Sequence, residues 1–374
     1  MLYFDNAATG GKKPDAVLTA VSSAVKICAN PGRSGHRLSI ACAENVERCR
    51  KELDLFFDGY GYDRVIFTKN CTEALNIAIF GALEKGDHVV CSCMEHNSVL
   101  RPLEFLRKSG VIEYDLCPLS IDGNIKPADF AALVKPNTKM AIVTTASNVT
   151  GAIPDLLSIR NALPKRVLFL CDGAQGAGHI PLKMQGAGID LLTLAGHKGI
   201  LGIQGSGALL FSERVDLKPF LFGGTGSMSL SLDMPDFYPD ALEAGTLAYP
   251  AILSLLEGVR YLALHENKIR AHCLKLTEYC AKSVSALPSY ELFSKPNPCG
   301  IVAFRHKEIQ SERIADILSR KYHIAVRGGL HCAPLMHEHL GTLDGGLIRV
   351  SFSHFNVEKE IDSLLFALRD IQEI

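Results

Sequence analysis

Short apolar runs alternate with helical patterns through the first two thirds of the chain. Helical periodicity predicts helices at residues 71–83 and 98–109. The apolar runs predict strands at residues 64–68, 88–91, 140–145, 167–171 and 191–194. Strands separated by helices indicate an α/β fold with a mostly parallel sheet and helices on both faces. Asn70 and Glu73 have the spacing of a capping box, which places one helix start near residue 71. Functional side chains are expected at the carboxyl ends of such strands.

The pattern changes near residue 250. A long helical stretch is predicted over 251–287. It precedes predicted strands at 300–304, 324–327 and 347–352 and predicted helices at 311–320 and 357–371. This predicts a large α/β domain over residues 14–254 and a smaller C-terminal α+β domain over 255–374. We expect residues 1–13 to pack on the smaller domain.

Composition narrows the class of protein. The 374 residues include 39 Lys and Arg against 40 Asp and Glu, and a net charge of −1 argues against a nucleic-acid binder. No uncharged apolar run of about 20 residues predicts a membrane span. The first residues do not resemble a secretory signal, so we expect the 12 cysteines to be free thiols in a reducing cytoplasm.

Two polar side chains follow neighbouring apolar runs. Asp172 comes directly after one run, with Gln175 three residues on, and Lys198 lies between two others. Alone, Asp172 could be a capping residue and Lys198 could lie at a loop tip. Together they are the pair that pyridoxal 5′-phosphate (PLP) requires, since a lysine holds the aldehyde and an acid keeps the ring nitrogen protonated. The nearby glycines do not have dinucleotide-binding spacing.

Three further positions have both structural and functional interpretations. The helix start at Cys71 and Thr72 offers free amides for a phosphate, or is simply a capped helix. His96 follows a predicted strand and could stack on a flat ring or form a structural hydrogen bond. Asn148 also follows an apolar strand, where it could bind substrate or form an Asx turn.

The segment VRGGLHCAPLMHEHLG contains an additional cluster of reactive residue types. Cys332 follows two glycines and has Arg327 and His331 close in sequence, and cationic neighbours favour the reactive thiolate. Its spacing to His337 and His339 fits no zinc pattern, so no metal site is expected. Arg327 and the later Arg349 are candidate carboxylate clamps, or surface charges.

The order of these segments resembles the class V aminotransferase family, and within it the cysteine desulfurases and selenocysteine lyases. The resemblance runs from FDNAATG at 4–10 to RVSFSHFN at 349–356. Its most specific part is DGAQ at 172–175 followed by GHK at 196–198. RGGLHCAP at 327–334 is similar to the second desulfurase group, in which the cysteine loop is compact.

The resemblance implies a fold-type I PLP-dependent transferase and assigns the ring-binding residues. Lys198 would hold the PLP aldehyde and act as the catalytic base. Asp172 would pair with the pyridine nitrogen, and Gln175 would bond the ring hydroxyl. His96, a further candidate catalytic residue, would stack on the ring.

The resemblance also assigns a phosphate site. Thr72 and His197 would hold the phosphate beside the helix start at Cys71, with Thr246 reaching in from a second subunit. Relatives commonly carry a hydroxyl residue where this chain has Ala195, so one phosphate bond is expected to be missing.

The substrate residues implied by the resemblance lie in three segments. Asn148 and Arg349 would hold the substrate carboxylate. Arg33 and His36 match a family segment near the substrate pocket. Cys332 would accept the sulfur.

The implied activity is conversion of L-cysteine to L-alanine, with sulfur captured as a persulfide on Cys332. The alternatives are a lyase acting on L-selenocysteine and a non-catalytic sulfur-carrier scaffold. An epimerase or cystine lyase would use the same ring site without needing Cys332. The resemblance further implies a homodimer with shared active sites and a protein that accepts sulfur or selenium.

Overall fold

The secondary-structure elements alternate as the sequence pattern predicts. The computed structural model describes residues 1–27, 29–120 and 123–372. The strands are β1 (Leu2–Tyr3), β2 (Val65–Thr68), β3 (Asp87–Ser92), β4 (Ile112–Cys117), β5 (Thr138–Thr144), β6 (Leu168–Asp172), β7 (Leu191–Ala195), β8 (Gly207–Phe211), β9 (Tyr290–Leu292), β10 (Ile301–His306), β11 (Ile324–Ala325) and β12 (Ile348–Ser351). The helices are α1 (Asp15–Lys26), α2 (Arg37–Phe57), α3 (Cys71–Ala82), α4 (Asn97–Lys108), α5 (Pro127–Ala132), α6 (Leu156–Ala162), α7 (Met184–Ala187), α8 (Tyr249–Ser285), α9 (Ser311–Tyr322), α10 (Pro334–His339) and α11 (Glu358–Gln372).

A seven-stranded sheet, ordered β2-β8-β7-β6-β5-β3-β4, forms the centre of the large α/β region. Six of these strands are parallel, and β8 runs antiparallel to both of its neighbours. Alternate residues of β3 face opposite sides, with Val90 in one apolar cluster and Val89 and Cys91 in another. Burial on both faces explains why these strands are continuous apolar runs. The predicted mostly parallel α/β sheet is confirmed.

The C-terminal region has its own sheet and core. Strands β12, β10 and β9 form a three-stranded antiparallel sheet, and β1 pairs in parallel with β11. Leu2 and Tyr3 therefore lie against Ile324 and Ala325. Helix α8 runs without a break through the predicted boundary at 254/255. The division into two folding domains stays a prediction.

The start of α3 differs in one detail from the predicted capping box. The Asn70 side chain accepts a hydrogen bond from the Glu73 N–H at 2.9 Å, as predicted. The Glu73 carboxylate, however, accepts from the Lys69 N–H at 2.5 Å and not from Asn70. The reciprocal half of the box is therefore wrong by one residue, although the helix begins at Cys71 as expected.

The longest helix, α8, spans 37 residues. Among the described residues, no helix is both long and apolar enough to cross a bilayer.

Candidate active site

The ends of β5, β6 and β7 bring polar side chains to one edge of the sheet. Thr144, Asp172 and Thr193 are register partners on these strands, and Lys198 follows β7 by three residues. They border a cavity that opens to solvent. The cavity is lined by Asn70, Cys71, Thr72, Leu75, His96, Ser98, Thr144, Asn148, Asp172, Ala174, Gln175, Ala195, His197 and Lys198.

Asp172 is a buried carboxylate with one free oxygen. It is 3% exposed. Its Oδ1 accepts the Ala174 N–H at 2.9 Å and lies 3.3 Å from the Cys71 thiol. No described residue forms an ion pair with Asp172 or a hydrogen bond with its Oδ2. A buried carboxylate in this state calls for an external donor or cation, because its lost hydration is not replaced.

Lys198 is partly buried, and desolvation lowers the pKa of its amine, although the Asp172 carboxylate opposes this shift. Its Nζ forms no hydrogen bond or ion pair with a described residue. The following residue packs tightly, because a Cβ at Gly199 would lie 2.2 Å from the Ala177 carbonyl oxygen. This close approach fixes the Lys198 loop against the turn after β6 and presents an amine that loses its proton readily.

His96 faces the cavity as a neutral imidazole. It caps α4, with its Nδ1 accepting the Ser98 N–H at 3.1 Å. Desolvation lowers the pKa of His96 to about 4, and the Lys198 and Arg349 charges add to this effect. A neutral ring can stack on an aromatic cofactor without placing a cation in the cavity.

The opposite end of the cavity offers donors for an anion. The first turn of α3 presents its backbone amides, and the Thr72 and Ser98 hydroxyls share a hydrogen bond of 2.9 Å. His197 lies beside them with its Nδ1 3.0 Å from the Thr9 hydroxyl, and desolvation lowers the pKa of His197 to about 4. Ser98 and Ala195 both line this cavity, so a hydroxyl group is present at Ser98 although position 195 offers none.

The N-terminal segment is hydrogen-bonded to the site. Gln175 donates through Nε2 to the Ala7 carbonyl at 3.0 Å, which leaves its Oε1 without a described partner. The Gly10 N–H donates to the His197 carbonyl at 2.9 Å. The FDNAATG segment is thus bonded to two residues of the cavity wall, although none of its own residues lines the cavity.

The Cys332 loop comes from the C-terminal region and is bonded to the rim of this cavity. Cys332 is exposed. It and His331 adopt left-handed conformations with φ of 57° and 50°, which non-glycine residues rarely adopt. The Cys332 carbonyl accepts the Asn97 N–H at 2.8 Å, and the His331 carbonyl accepts Asn148 Nδ2 at 2.6 Å. These bonds hold the strained loop beside the site.

Two arginines lie behind this loop. Arg349 is 1% exposed and donates to the Asn148 carbonyl and to Asp5 Oδ1, both at 2.9 Å. Its Nε is buried without a hydrogen-bond partner. Arg327 donates through Nη2 to the Cys332 sulfur at 3.6 Å. Arg349 therefore lies near the substrate side with part of its guanidinium unsatisfied, although Asp5 already occupies Nη2.

Six of the predicted residues do not line the cavity in a single chain: Cys332, Arg327 and Arg349, which lie in or behind the Cys332 loop, and Thr246, Arg33 and His36. Thr246 lines a separate pocket on the other side of the β2–β8 edge. Arg33 donates to the Gly224 and Gly245 carbonyls at 3.0 and 2.7 Å, and His36 caps α2 through the Ser39 N–H. The predicted role of Thr246 from a second subunit and the predicted roles of Arg33 and His36 near the substrate pocket stay predictions.

Sequence reasoning missed several residues of the site. Ser98 bridges Thr72 and His96, Glu95 bonds to the cavity residue Thr144, and Asp5 pairs with Arg349. The signals were weak: Glu95 and Ser98 are polar residues within two positions of His96, and Asp5 lies in the FDNAATG segment. Such a signal is too common to single out a position.

The described residues fit PLP. Asp172 has a free oxygen for a protonated ring nitrogen, Lys198 has a free amine for an aldehyde, and His96 is neutral. The amides at the start of α3 suit a dianionic phosphate. The Asp172 Oδ2, which lines the cavity side and has no hydrogen-bond partner among the described residues, is the observation that decides this fit.

The sheet order, with an aspartate and a lysine at neighbouring strand ends, defines the class of fold-type I PLP-dependent transferases. The chain matches the family model for aminotransferase class-V over residues 2–364. It is 32% identical over 383 residues to a probable cysteine desulfurase of Methanothermobacter thermautotrophicus, covering 99% of this chain and 94% of the relative. The chain belongs to the class V aminotransferase family.

Solved structures agree with this assignment. The apo cysteine desulfurase of Thermococcus onnurineus superimposes with a TM-score of 0.90 at 28% identity, covering 99% of this chain and 94% of the other. The cysteine desulfurase CsdA (S-sulfonic acid) of Escherichia coli has a TM-score of 0.88 at 26% identity, with coverage of 99% and 94%. The predicted fold class is confirmed.

Proposed function

We propose that this chain is a PLP-dependent cysteine desulfurase that converts L-cysteine to L-alanine and captures the sulfur as a persulfide on Cys332. One observation carries the proposal: the free Asp172 oxygen and the Lys198 amine face one cavity, and the exposed Cys332 loop is hydrogen-bonded to the rim of that cavity. The relatives named above as cysteine desulfurases support the same reaction.

The large α/β region supplies binding and proton transfer. PLP, when bound, would supply an electron sink for the carbanion formed at the substrate Cα. Asp172 would hold the ring nitrogen, and the α3 amides, Thr72 and His197 would hold the phosphate. The neutral Lys198 amine would remove the Cα proton, a role that suits its lowered pKa.

The C-terminal region supplies the sulfur acceptor. Arg349 and Asn148 would orient the substrate carboxylate beside Cys332. The Cys332 thiolate would attack the substrate sulfur, forming an S–S bond as the C–S bond breaks. The carbon keeps the electron pair and takes up a proton to become the methyl group of alanine, so the sulfur is oxidised and the carbon reduced.

A direct test is the turnover of the purified protein with L-cysteine and, separately, with L-selenocysteine. We expect bound PLP to absorb near about 410–420 nm. We also expect equal amounts of alanine and persulfide from L-cysteine. A chain that cannot be loaded with PLP would contradict the proposal and leave the scaffold alternative. Turnover of selenocysteine alone would instead make it a lyase.

We further propose that two copies form a homodimer with shared active sites. Leu230 and Leu232 are fully exposed, and Phe222 in the same segment is 73% exposed, and exposed apolar side chains of this size suit a subunit contact. Sedimentation should give a mass of two chains, and replacing both leucines with aspartate should give one. A monomeric wild-type chain would contradict the dimer.

The exposed Cys332 suits transfer of sulfur to an acceptor protein. The eleven described cysteines are all unpaired, which supports the proposal that the protein works in a reducing compartment such as the cytoplasm. Incubating the persulfide form with a thiol protein should transfer the labelled sulfur, and a persulfide that stays on Cys332 would contradict this part.

A further inference from the structure

A second buried carboxyl group is hydrogen-bonded to the cavity residue Thr144, and none of the roles above uses it. Glu95 is 0% exposed and immediately precedes His96. Its Oε1 accepts the Ser92 hydroxyl at 2.5 Å and the Thr144 N–H at 2.7 Å. Glu95 therefore connects the carboxyl ends of the neighbouring strands β3 and β5, and Thr144 at the end of β5 lines the cavity.

The surroundings of Glu95 do not support a charge. No described lysine, arginine or histidine forms an ion pair with it, and its Oε2 is buried without a hydrogen-bond partner. A fully buried carboxylate without a cation is so costly that the group takes up a proton instead. Because Oε1 already accepts two hydrogen bonds, the proton belongs on Oε2.

We propose that Glu95 is a positioning residue that acts as a neutral carboxylic acid, holding the ends of β3 and β5 together next to the ring site and leaving Asp172 as the carboxylate that faces the ring. The role rests on the proposed function, because it concerns the placement of His96 and the charge of Asp172. Thr144, which donates to Glu95, is the register partner of Asp172. A shift of Glu95 would therefore move both sides of the ring site.

The electrostatics agree with this geometry. Desolvation raises the pKa of Glu95 to about 8, and the Asp172 charge adds to this effect. The other titratable groups around Glu95 are the thiols of Cys91, Cys93 and Cys171, whose pKa values are raised, mainly by burial. None of these groups offers a positive charge.

The variants Glu95→Gln and Glu95→Ala distinguish the effect of a charge at Glu95 from the effect of its hydrogen bonds to Ser92 and Thr144. Gln keeps a neutral acceptor for Ser92 and Thr144, whereas Ala leaves both donors without a partner. At pH 7 we expect the Gln variant to bind PLP as the wild type does, and the Ala variant to bind it about tenfold more weakly, since two buried donors are left unsatisfied. Equal weakening in both variants would overturn the proposal.

Thermal unfolding of the full chain provides a readout that does not depend on activity. The folded wild type keeps a proton on Glu95 between pH 4.5 and about 8 that the unfolded chain has lost, so wild-type stability falls as pH rises through this window. Gln has no such proton. The melting temperature of Glu95→Gln minus that of the wild type should therefore rise from pH 5 to pH 8 and then level off. A flat difference would overturn the proposal.

Asp190 provides a matched control, because it is also a buried carboxyl but forms an ion pair with Arg214 at 2.9 Å. Asp190→Asn should lower the melting temperature at pH 7, whereas Glu95→Gln should not. A similar loss in both variants would show that Glu95 carries a needed charge. A wild-type chain that binds no PLP would overturn the proposed function together with the ring-site role of Glu95. A flat pH difference in a chain that binds PLP would overturn the role of Glu95 alone.

Discussion

The ring site and the Cys332 loop differ in their exposure to solvent. At the ring site, Asp172 is 3% exposed and lies at the end of a central strand, among histidines whose pKa values burial has lowered. Cys332 is exposed and lies in a loop with left-handed backbone, held by hydrogen bonds to the other region. The ring site needs low solvation to strengthen its electrostatics. A sulfur that is to be passed on needs access.

The groups that would bind PLP and the group that would transfer sulfur belong to different regions of the chain. Groups that would hold PLP belong to strand ends and helix starts of the large sheet, whose positions the core sets. The sulfur acceptor belongs to the C-terminal region and reaches the site through a few polar contacts. Loss of a ring-site residue should therefore affect both PLP binding and catalysis, whereas loss of Cys332 should affect catalysis alone.

The largest expected effect is on the ring side. Lys198→Ala removes both the amine for the aldehyde and the proposed base, so conversion of L-cysteine should fall by about 10⁴-fold. Alanine release from L-cysteine measures it, with the exposed Lys218→Ala as a control. A Lys198→Ala variant that keeps a tenth of the wild-type rate would remove Lys198 from the mechanism.

On the loop side, Cys332→Ser should lower sulfur release by about 10³-fold, because the nucleophile is lost. PLP binding should not change, since Cys332 is not part of the cavity wall. Cys93→Ser is the matched control, because Cys93 is the other described cysteine that is not buried. Loss of PLP binding in the Cys332→Ser variant would break the separation of the two regions.

A smaller effect is expected where the two regions meet. Asn148→Ala removes the N–H that holds the His331 carbonyl, so backbone amides near 330–333 should exchange about tenfold faster. Hydrogen exchange read by mass spectrometry measures this without substrate. Asn137→Ala removes a similar bond, to the Gly86 carbonyl, at an exposed position and should leave these amides unchanged. Unchanged exchange in the Asn148→Ala variant would mean that the loop is held elsewhere.

The smallest expected effect is on the pH dependence of stability, through the buried ring-site residue His197. The pKa of His197 is lowered to about 4, so between pH 6.5 and pH 4 the unfolded chain binds a proton that the folded chain does not. Wild-type stability is therefore lost as pH falls through this window. His197→Gln should reduce the drop in melting temperature between pH 7 and pH 5 by about 1–2 °C. The exposed His339→Gln is the control, and equal drops in wild type and His197→Gln would contradict the buried, neutral ring.

Most of the sheet could be predicted from the sequence, because each central strand is buried on both faces and reads as an apolar run. The polar residues that follow those runs, Asp172 and Lys198, were predictable as a pair for the same reason. The hydrogen-bond partners of individual polar side chains were not predictable. The Glu73 carboxylate bonds to Lys69 and not to Asn70, since a flexible side chain chooses among several nearby amides.

The sequence by itself determined the α/β class, the strand ends that carry polar groups, and the motifs of the class V aminotransferase family. These depend on local periodicity and on residue identity. Only the tertiary structure decided that Asn148 holds the His331 carbonyl 183 positions away, and that Arg349 is paired with Asp5. It also decided that Glu95 is buried without a cation. Burial and partnership come from segments distant along the chain, and these set the charge of a side chain more strongly than its type does.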